Sequence, residues 1–281
     1  MNAAAEIAEL TPEVYDRIRA HLRLEAGLCF GDNKRTLFRS RLAKRLRQLG
    51  LDSFEAYAEL LTRGDPEGRE LDRCLNLVTT NLTSFFREGH HFEDLRTLLL
   101  EPLAEAGRSD RTVRIWSAAC STGAEPYTIA MVAAEWCREH PGWRVEILAS
   151  DINTEVLAVT DRAVYTEAEV KQVPEGWLRR HFQRGVGANA GRYRLRDATR
   201  RLVRTARINL LRPLPRFDPP FDAVFCRNCL IYFSEADQER VVAAFAECLR
   251  PGGLLFLGHS ESVPPHLTQF ERLPRTVYRR R

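Results

Sequence analysis

The chain of 281 residues predicts an α/β fold. A parallel sheet covered by helices is preceded by a small all-helical domain and interrupted by a small antiparallel β insert. Three observations predict this. From residue 112 onward, short apolar runs alternate with stretches of helical length, the pattern of strands and crossover helices. Residues 11–75 instead read as helical. Near residue 190 a glycine-rich turn leads into a strict two-residue alternation.

In the helical part, Thr11-Pro12 forms an N-cap and first-turn pair. Phe38, Leu42, Leu46 and Leu49 make an apolar stripe that Gly50 ends. Lys34, Arg41, Lys44 and Arg45 fall on a separate face, which reads either as a solvated surface or as a contact for an acidic partner. Residues 64–68 (GDPEG) are a loop. Helices are expected over 69–78 and 91–105.

The α/β part is expected to start with a strand at 112–116 and a helix from Pro126 to about His140, stopped by Pro141-Gly142. A strand at 145–149 and a helix at 154–163 follow. A strand at 223–226, a helix at 235–249 and a strand at 254–257 come later. In Arg192-Tyr193-Arg194-Leu195-Arg196 the alternation puts three arginines on one face. The stretch RRLVRTARINL at 200–210 is expected to pair with it, giving an insert at about 165–207. The expected organisation is a helical domain at 1–78, a linker and pocket-lining segment at 79–110, and an α/β domain at 111–281.

Composition narrows the function. At 44% hydrophobic and 28% charged, the chain resembles a soluble globular protein. No apolar run approaches the ~20 residues needed to span a bilayer. The first twenty residues lack the charged start and apolar core of a leader. Seven scattered cysteines fit reduced thiols in a cytosol. The net charge is +4, but it is unevenly placed: twelve arginines and one acid lie between Leu178 and Arg216, and seven Lys or Arg and no acid lie in 34–47. Such patches suit nucleic acid or an acidic protein surface.

The stretch IWSAACSTGAEPY at 115–127 joins the first strand to its helix. Ala118, Ala119, Ser121 and Gly123 carry little side chain, so a ligand can approach the backbone. Glu125 stands at the helix start. Asp151 ends the second strand, where a carboxylate can accept from ribose hydroxyls or can cap the next helix. A helix N-terminus without phosphate-gripping lysines suits S-adenosylmethionine, with Glu125 facing its positive charge.

The blocks VTTNLTSFFREGHHF, IWSAACSTGAEPYTIA, ILASDINTEVL, INLL, FDAVFCRNCLIYF and LRPGGLLFLGHSE occur in this order. Together they resemble the CheR-type chemotaxis receptor methyltransferases over nearly the whole chain. The resemblance implies a class I (Rossmann-like) methyltransferase domain acting as a protein-glutamate O-methyltransferase. It implies S-adenosylmethionine as donor, S-adenosylhomocysteine as product and chemoreceptor glutamates as acceptors. By motif position, Asn81, Thr83 and Arg87 line the methionine end of the cofactor, and Glu125 and Asp151 hold its amino-acid tail and ribose. Asn209 and Leu210 lie at the adenine, and Arg227 and Asn228 close the site. Arg87 and Tyr232 orient the acceptor carboxylate. The insert, through Arg192, Arg194 and Arg196, is implied to meet a receptor C-terminal peptide, and the basic helix to meet the receptor's cytoplasmic domain. A cytoplasmic monomer recruited to receptor arrays is implied, with no nucleic acid and no membrane insertion. Ala124 departs from the family, which often has a second glutamate there.

Adjacent histidines diverge on a helix and no Cys or carboxylate pair stands near, so no metal is expected at His90 and His91. Phe85 and Phe86 are expected to pack. A nucleic-acid amino-group methyltransferase is the rival reading. It usually carries an Asn/Asp-Pro-Pro-aromatic block where this chain has Arg227-Asn228-Cys229-Leu230. Cys226 and Cys229 are too few for zinc and read as buried thiols.

Overall fold

The computed structural model describes residues 9–281. Of the twenty residues read as lacking the pattern of a leader, the first eight lie outside the described residues. The chain forms two compact units. One comprises residues up to Thr80 with Tyr232–Ser234, the other Asn81–Ile231 and Glu235–Arg281.

The first unit holds α1 (Pro12–Ala26), α2 (Arg35–Leu49), α3 (Phe54–Arg63) and α4 (Arg69–Val78). Thr11 caps α1 by accepting from the Val14 N–H, and Ser53 caps α3 through Ala56. Gly27 and Gly50 end α1 and α2 with positive φ, where a Cβ would be strained. Phe38, Leu42 and Leu46 are fully buried, as the stripe predicts, and Tyr15 meets Phe38 edge-on at 5.1 Å between ring centres. The basic face of α2 is partly taken up within the unit. Arg45 pairs with buried Glu70, Nε to Oε1 at 3.0 Å, and Tyr57 donates to the same carboxylate at 2.9 Å. Arg41 donates to the carbonyls of Leu77 and Thr79 and so satisfies the C-terminus of α4. Lys44 stays exposed, and Lys34 lies in the turn before α2.

The second unit begins with the stretch 81–89 and α5 (His90–Leu95), which continues through a wide π turn at Arg96–Leu100 into α6 (Glu101–Glu105). The helix expected at 91–105 is thus continuous but widened. Pro102 lacks an N–H and crowds the preceding turn, which the wider turn relieves. The main sheet comprises β1 (Thr112–Ala118), β2 (Arg144–Asp151), β6 (Val203–Arg207), β7 (Phe221–Cys226), β8 (Leu249–Leu257), β9 (Phe270–Arg272) and β10 (Val277–Arg280). Its order is β6-β2-β1-β7-β8-β10-β9. The first five strands are parallel, while β10 is antiparallel to both β8 and β9. The helices α7 (Ala124–Glu139), α8 (Thr154–Arg162) and α11 (Glu235–Cys248) connect strands. β1 and β7 are buried almost throughout, as strands covered on both faces should be.

A second, three-stranded sheet has the order β3 (Val164–Thr166), β5 (Arg192–Leu195), β4 (Phe182–Arg184). The short helices α9 (Glu175–His181) and α10 (Asp197–Arg200) flank it in sequence. The alternation in β5 holds: Tyr193 and Leu195 are buried, while Arg192, Arg194 and Arg196 are exposed. The pairing expected for 200–210 does not. Val203–Arg207 pairs with β2 in the main sheet, with Ile147 opposite Val203 and Asp151 opposite Arg207. The small sheet therefore ends at Leu195 rather than near 207. The arginines of β6 are those of an exposed edge strand, which looks alike in sequence whichever sheet it borders. No helix among the described residues is long and apolar enough to cross a membrane.

Candidate functional site

The site is built where β1 and β2 end. The loop from Ser117 to Gly123 is folded tightly by three positive φ values, 62° at Ala119, 52° at Ser121 and 89° at Gly123. Glycine is required at 123, because a Cβ would come within 2.8 Å of both Thr160 Oγ1 and Tyr165 OH. The Ser121 N–H donates to Asp151 Oδ2 at 2.9 Å, and its hydroxyl donates to the Asn81 carbonyl at 2.8 Å. The Asn153 N–H donates to the other Asp151 oxygen at 2.9 Å. Asp151 does not cap α8. Asn153 does, accepting from Glu155 and Val156. Burial raises the Asp151 pKa, opposed by the backbone N–H groups of Asn153, Ser121 and Ile152. Ile208 donates to the Asp151 carbonyl at 3.2 Å. That bond brings Asn209 and buried Leu210 beside the end of β2, and Asn209 Oδ1 fixes the turn by accepting from the Leu211 N–H at 2.9 Å.

The second half of the site is ionic. Glu125, in the first turn of α7, accepts from Ser117 Oγ at 2.8 Å and pairs with Arg227 Nη1 at 3.1 Å. Burial raises its pKa, and the Arg227 charge and the Ser117 hydrogen bond oppose that rise. Arg227 also lies 3.2 Å from Glu88 Oε2, donates to the Arg87 carbonyl, and stacks its guanidinium 5.6 Å over the Phe92 ring. Glu88 accepts from His259 at 2.9 Å and from Asn228 Nδ2 at 3.4 Å. Burial works to raise the Glu88 pKa, but the His259 hydrogen bond and the Arg227 charge outweigh it and hold the carboxyl at about 2. Asn228 has φ 58°. The turn it makes is held by Glu261, which accepts from the N–H groups of Asn228, Leu230 and Gly258 at 2.8, 2.8 and 2.7 Å.

Arg87 lies between two residues of positive φ, Phe86 and Glu88. Its side chain turns back to donate to the Leu82 carbonyl at 2.9 Å, while its own carbonyl faces Arg227. The Phe86 N–H donates to Thr128 Oγ1 at 3.2 Å, anchoring the stretch over α7. Phe85 is buried and meets Tyr165 edge-on at 4.9 Å, so it packs as expected. Hydrogen bonds thus join Asn81 and Asp151, through Ser121, in one network that reaches Ile208 beside Asn209, and Arg87, Glu125, Arg227 and Asn228 in a second, and Thr83 lines an adjoining cavity. Tyr232 stands apart. It closes the turn Leu230–Tyr232, is half-buried, groups with the helical unit, and its hydroxyl has no hydrogen-bond partner among the described residues.

Sequence reasoning missed Glu88, Ser117 and Glu261. Each sits inside a motif quoted above, and a charged or hydroxyl residue within such a motif was the available signal. The reasoning about His90 and His91 also needs correction. Their rings do not diverge. The ring centres are 4.3 Å apart, and with Glu88 their candidate ligand atoms all lie within 4.8 Å. His91 is nevertheless engaged, with Nε2 2.7 Å from the Arg275 carbonyl. Burial lowers its pKa to about 4. The Arg227 guanidinium stands 3.2 Å from Glu88 Oε2.

The donor set fits S-adenosylmethionine. Asp151 has a buried carboxylate oriented by backbone N–H groups, with acceptor capacity left for a ribose hydroxyl. The loop beside it bears small side chains, and no lysine or arginine of that loop would meet a phosphate. A seven-stranded, mostly parallel sheet with its final strand inserted antiparallel, carrying this site at the ends of β1 and β2, defines a Rossmann-like S-adenosylmethionine-binding methyltransferase domain. The comparisons with known proteins make this specific. Residues 81–279 match the CheR methyltransferase SAM-binding domain, and residues 13–79 match the CheR methyltransferase all-alpha domain. The chain belongs to the CheR methyltransferase family. It is 40% identical over 264 residues to the chemotaxis protein methyltransferase of Salmonella typhimurium, covering 94% of this chain and 88% of that one. It is 41% identical to the Escherichia coli protein of the same name, covering 94% and 89%. It is 40% identical to chemotaxis protein methyltransferase 2 of Pseudomonas aeruginosa, covering 95% and 93%.

Proposed function

We propose that this protein transfers the methyl group of S-adenosylmethionine to glutamate carboxylates on the cytoplasmic domain of membrane chemoreceptors and so adapts chemotactic signalling. The observation that carries this reading is the identity of about 40% over 94% of the chain with proteins named chemotaxis protein methyltransferases. The chemistry is consistent. A glutamate of ordinary pKa near ~4.3 is already ionised at neutral pH and needs no general base. When bound, S-adenosylmethionine supplies a methyl on a sulfonium, which is its own leaving group. The protein's task is then alignment. Asp151 holds the ribose hydroxyls, and Asn209 and Leu210 receive the base. Glu125, fixed by Ser117 and Arg227, offers negative charge to the cationic end. Arg87 orients the acceptor without binding it so tightly that the ground state is favoured.

The exposed arginines of β5 support receptor contact at the small sheet. Because β5 is paired on both sides, a receptor peptide would add at the free edge of β3 or β4, with Arg192, Arg194 and Arg196 reaching it across the face. On the basic helix, Arg41 and Arg45 are engaged within the unit, which leaves Lys34 and Lys44 as the freer receptor contacts. The protein would act as a cytoplasmic monomer recruited to receptor arrays. The experiment is transfer of labelled methyl from S-adenosylmethionine to receptor-containing membranes. Base-labile methyl esters on receptor are the expected product, and base-stable label or none would refute the reading.

A further inference from the structure

Beside the cofactor loop is a cavity of about 320 Å³ bounded by the 83–85 stretch, the start of α7 and the insert loop that follows β3. Phe85 and Tyr165 form its apolar wall. The polar lining is Thr83, Ser84, Thr122, Lys171, Gln172 and Glu169. Glu169 is tied back, because its Oε2 takes both the N–H and the hydroxyl of Thr166 at 2.7 Å. The side chains of Thr83, Ser84, Thr122, Lys171 and Gln172 have no hydrogen-bond or ion-pair partner among the described residues. The cavity therefore gathers an ammonium, three hydroxyls and an amide, all with unused donors, next to aromatic surface. That combination recognises a carboxylate on a short carbon chain.

We infer that this cavity is a carboxylate subsite of the methyl-transfer reaction and that Lys171 is its specificity-determining residue. The inference rests on the methyl-transfer reading of the adjoining site. Two carboxylates belong to that reaction: the acceptor glutamate, and the amino-acid tail of the methyl donor. Either could reach the cavity, because Thr122 and Ala124, of the cofactor loop and the start of α7, line it. Lys171 is exposed and a compact point charge, so its effect should be moderate and should weaken with salt.

Three variants, Lys171→Ala, Lys171→Glu and Lys171→Arg, test this by two readouts beside a melting curve. One readout is S-adenosylhomocysteine affinity by calorimetry, the other KM for receptor-containing membranes. The alanine variant should weaken one of the two by roughly fivefold and the glutamate variant by about tenfold or more. The arginine variant should stay near wild type, and none should change the melting temperature. Lost S-adenosylhomocysteine affinity places the donor's tail in the cavity. A raised receptor KM with unchanged S-adenosylhomocysteine affinity places the acceptor there. If Lys171→Glu moves neither, the subsite is refuted. Should the wild type fail to methylate receptor, the proposed function falls. The calorimetric arm then decides alone: weakened affinity supports the subsite and unchanged affinity overturns it.

Discussion

Ser121 and Asp151 are joined by a 2.9 Å hydrogen bond from the backbone N–H of one to the buried carboxylate of the other. The bond couples the tight loop after β1 to the end of β2. It sets the carboxylate's orientation before any ligand arrives, which removes part of the ordering cost of binding.

Asp151→Ala is expected to weaken S-adenosylhomocysteine binding at least tenfold, since a lost hydrogen bond to a charged group costs about 1.5–3 kcal/mol. It also strands the N–H groups of Ser121 and Asn153. Asp151→Asn, which keeps one acceptor oxygen, should therefore melt closer to wild type while still binding poorly. Calorimetry showing unchanged affinity in both would remove Asp151 from the site.

Arg87→Lys should fold normally and methylate poorly. A lysine keeps the charge but not the planar fork, and the geometry toward Leu82 and an acceptor carboxylate depends on that fork. A wild-type rate in this variant would reduce Arg87 to a backbone element whose carbonyl serves Arg227.

Arg227→Met should be strongly destabilising, by about 3–5 kcal/mol, because Glu125 and Glu88 both lose their buried cation. Denaturant unfolding measures this. A loss below about 1 kcal/mol would mean that the two carboxylates find solvent or protons instead.

Acid should weaken the fold through two groups in turn. His91 is held neutral, with its pKa lowered from 6.5 to about 4. Its contribution is present above 6.5 and is lost as pH falls toward 4. Glu88 is lowered from 4.5 to about 2. Its contribution is present above 4.5 and lost as pH falls toward 2, and the difference of 4.5 − 2 = 2.5 units corresponds to roughly 3 kcal/mol. Glu88→Gln should flatten the stability curve in the lower window and, because the Glu88 charge opposes the fall of the His91 pKa, slightly deepen the loss in the upper one. Melting curves from pH 7 to 2.5 would show it, and identical slopes in both proteins would count against the ion pair.

Arg194→Ala with Arg196→Ala should reduce binding of a receptor C-terminal peptide and leave S-adenosylhomocysteine binding unchanged. If the wild type binds no such peptide, the receptor contact moves to the basic helix.

What the sequence made legible was local. The loop 117–125 shows its small residues and its acid at fixed spacing, and β5 shows its alternation. Placement across long separations was not legible. Whether Val203–Arg207 borders β2 or β5 depends on which edge is free, and both would carry arginines outward. The bridge from Arg227 to Glu88 spans well over a hundred residues and leaves no periodic trace. The pairing of His90 with His91 depended on the local path of a helix start that follows two positive-φ residues.

The turn at Asn228 and the end of β8 share a single carboxylate, that of Glu261, and Gly258 has no room for a Cβ, which would come within 2.6 Å of Asn228 Nδ2 and 2.9 Å of its backbone nitrogen. The two segments must therefore move as one body. Leu82 is exposed and lies outside this body, so hydrogen exchange there should outpace exchange at Asn228 and Gly258.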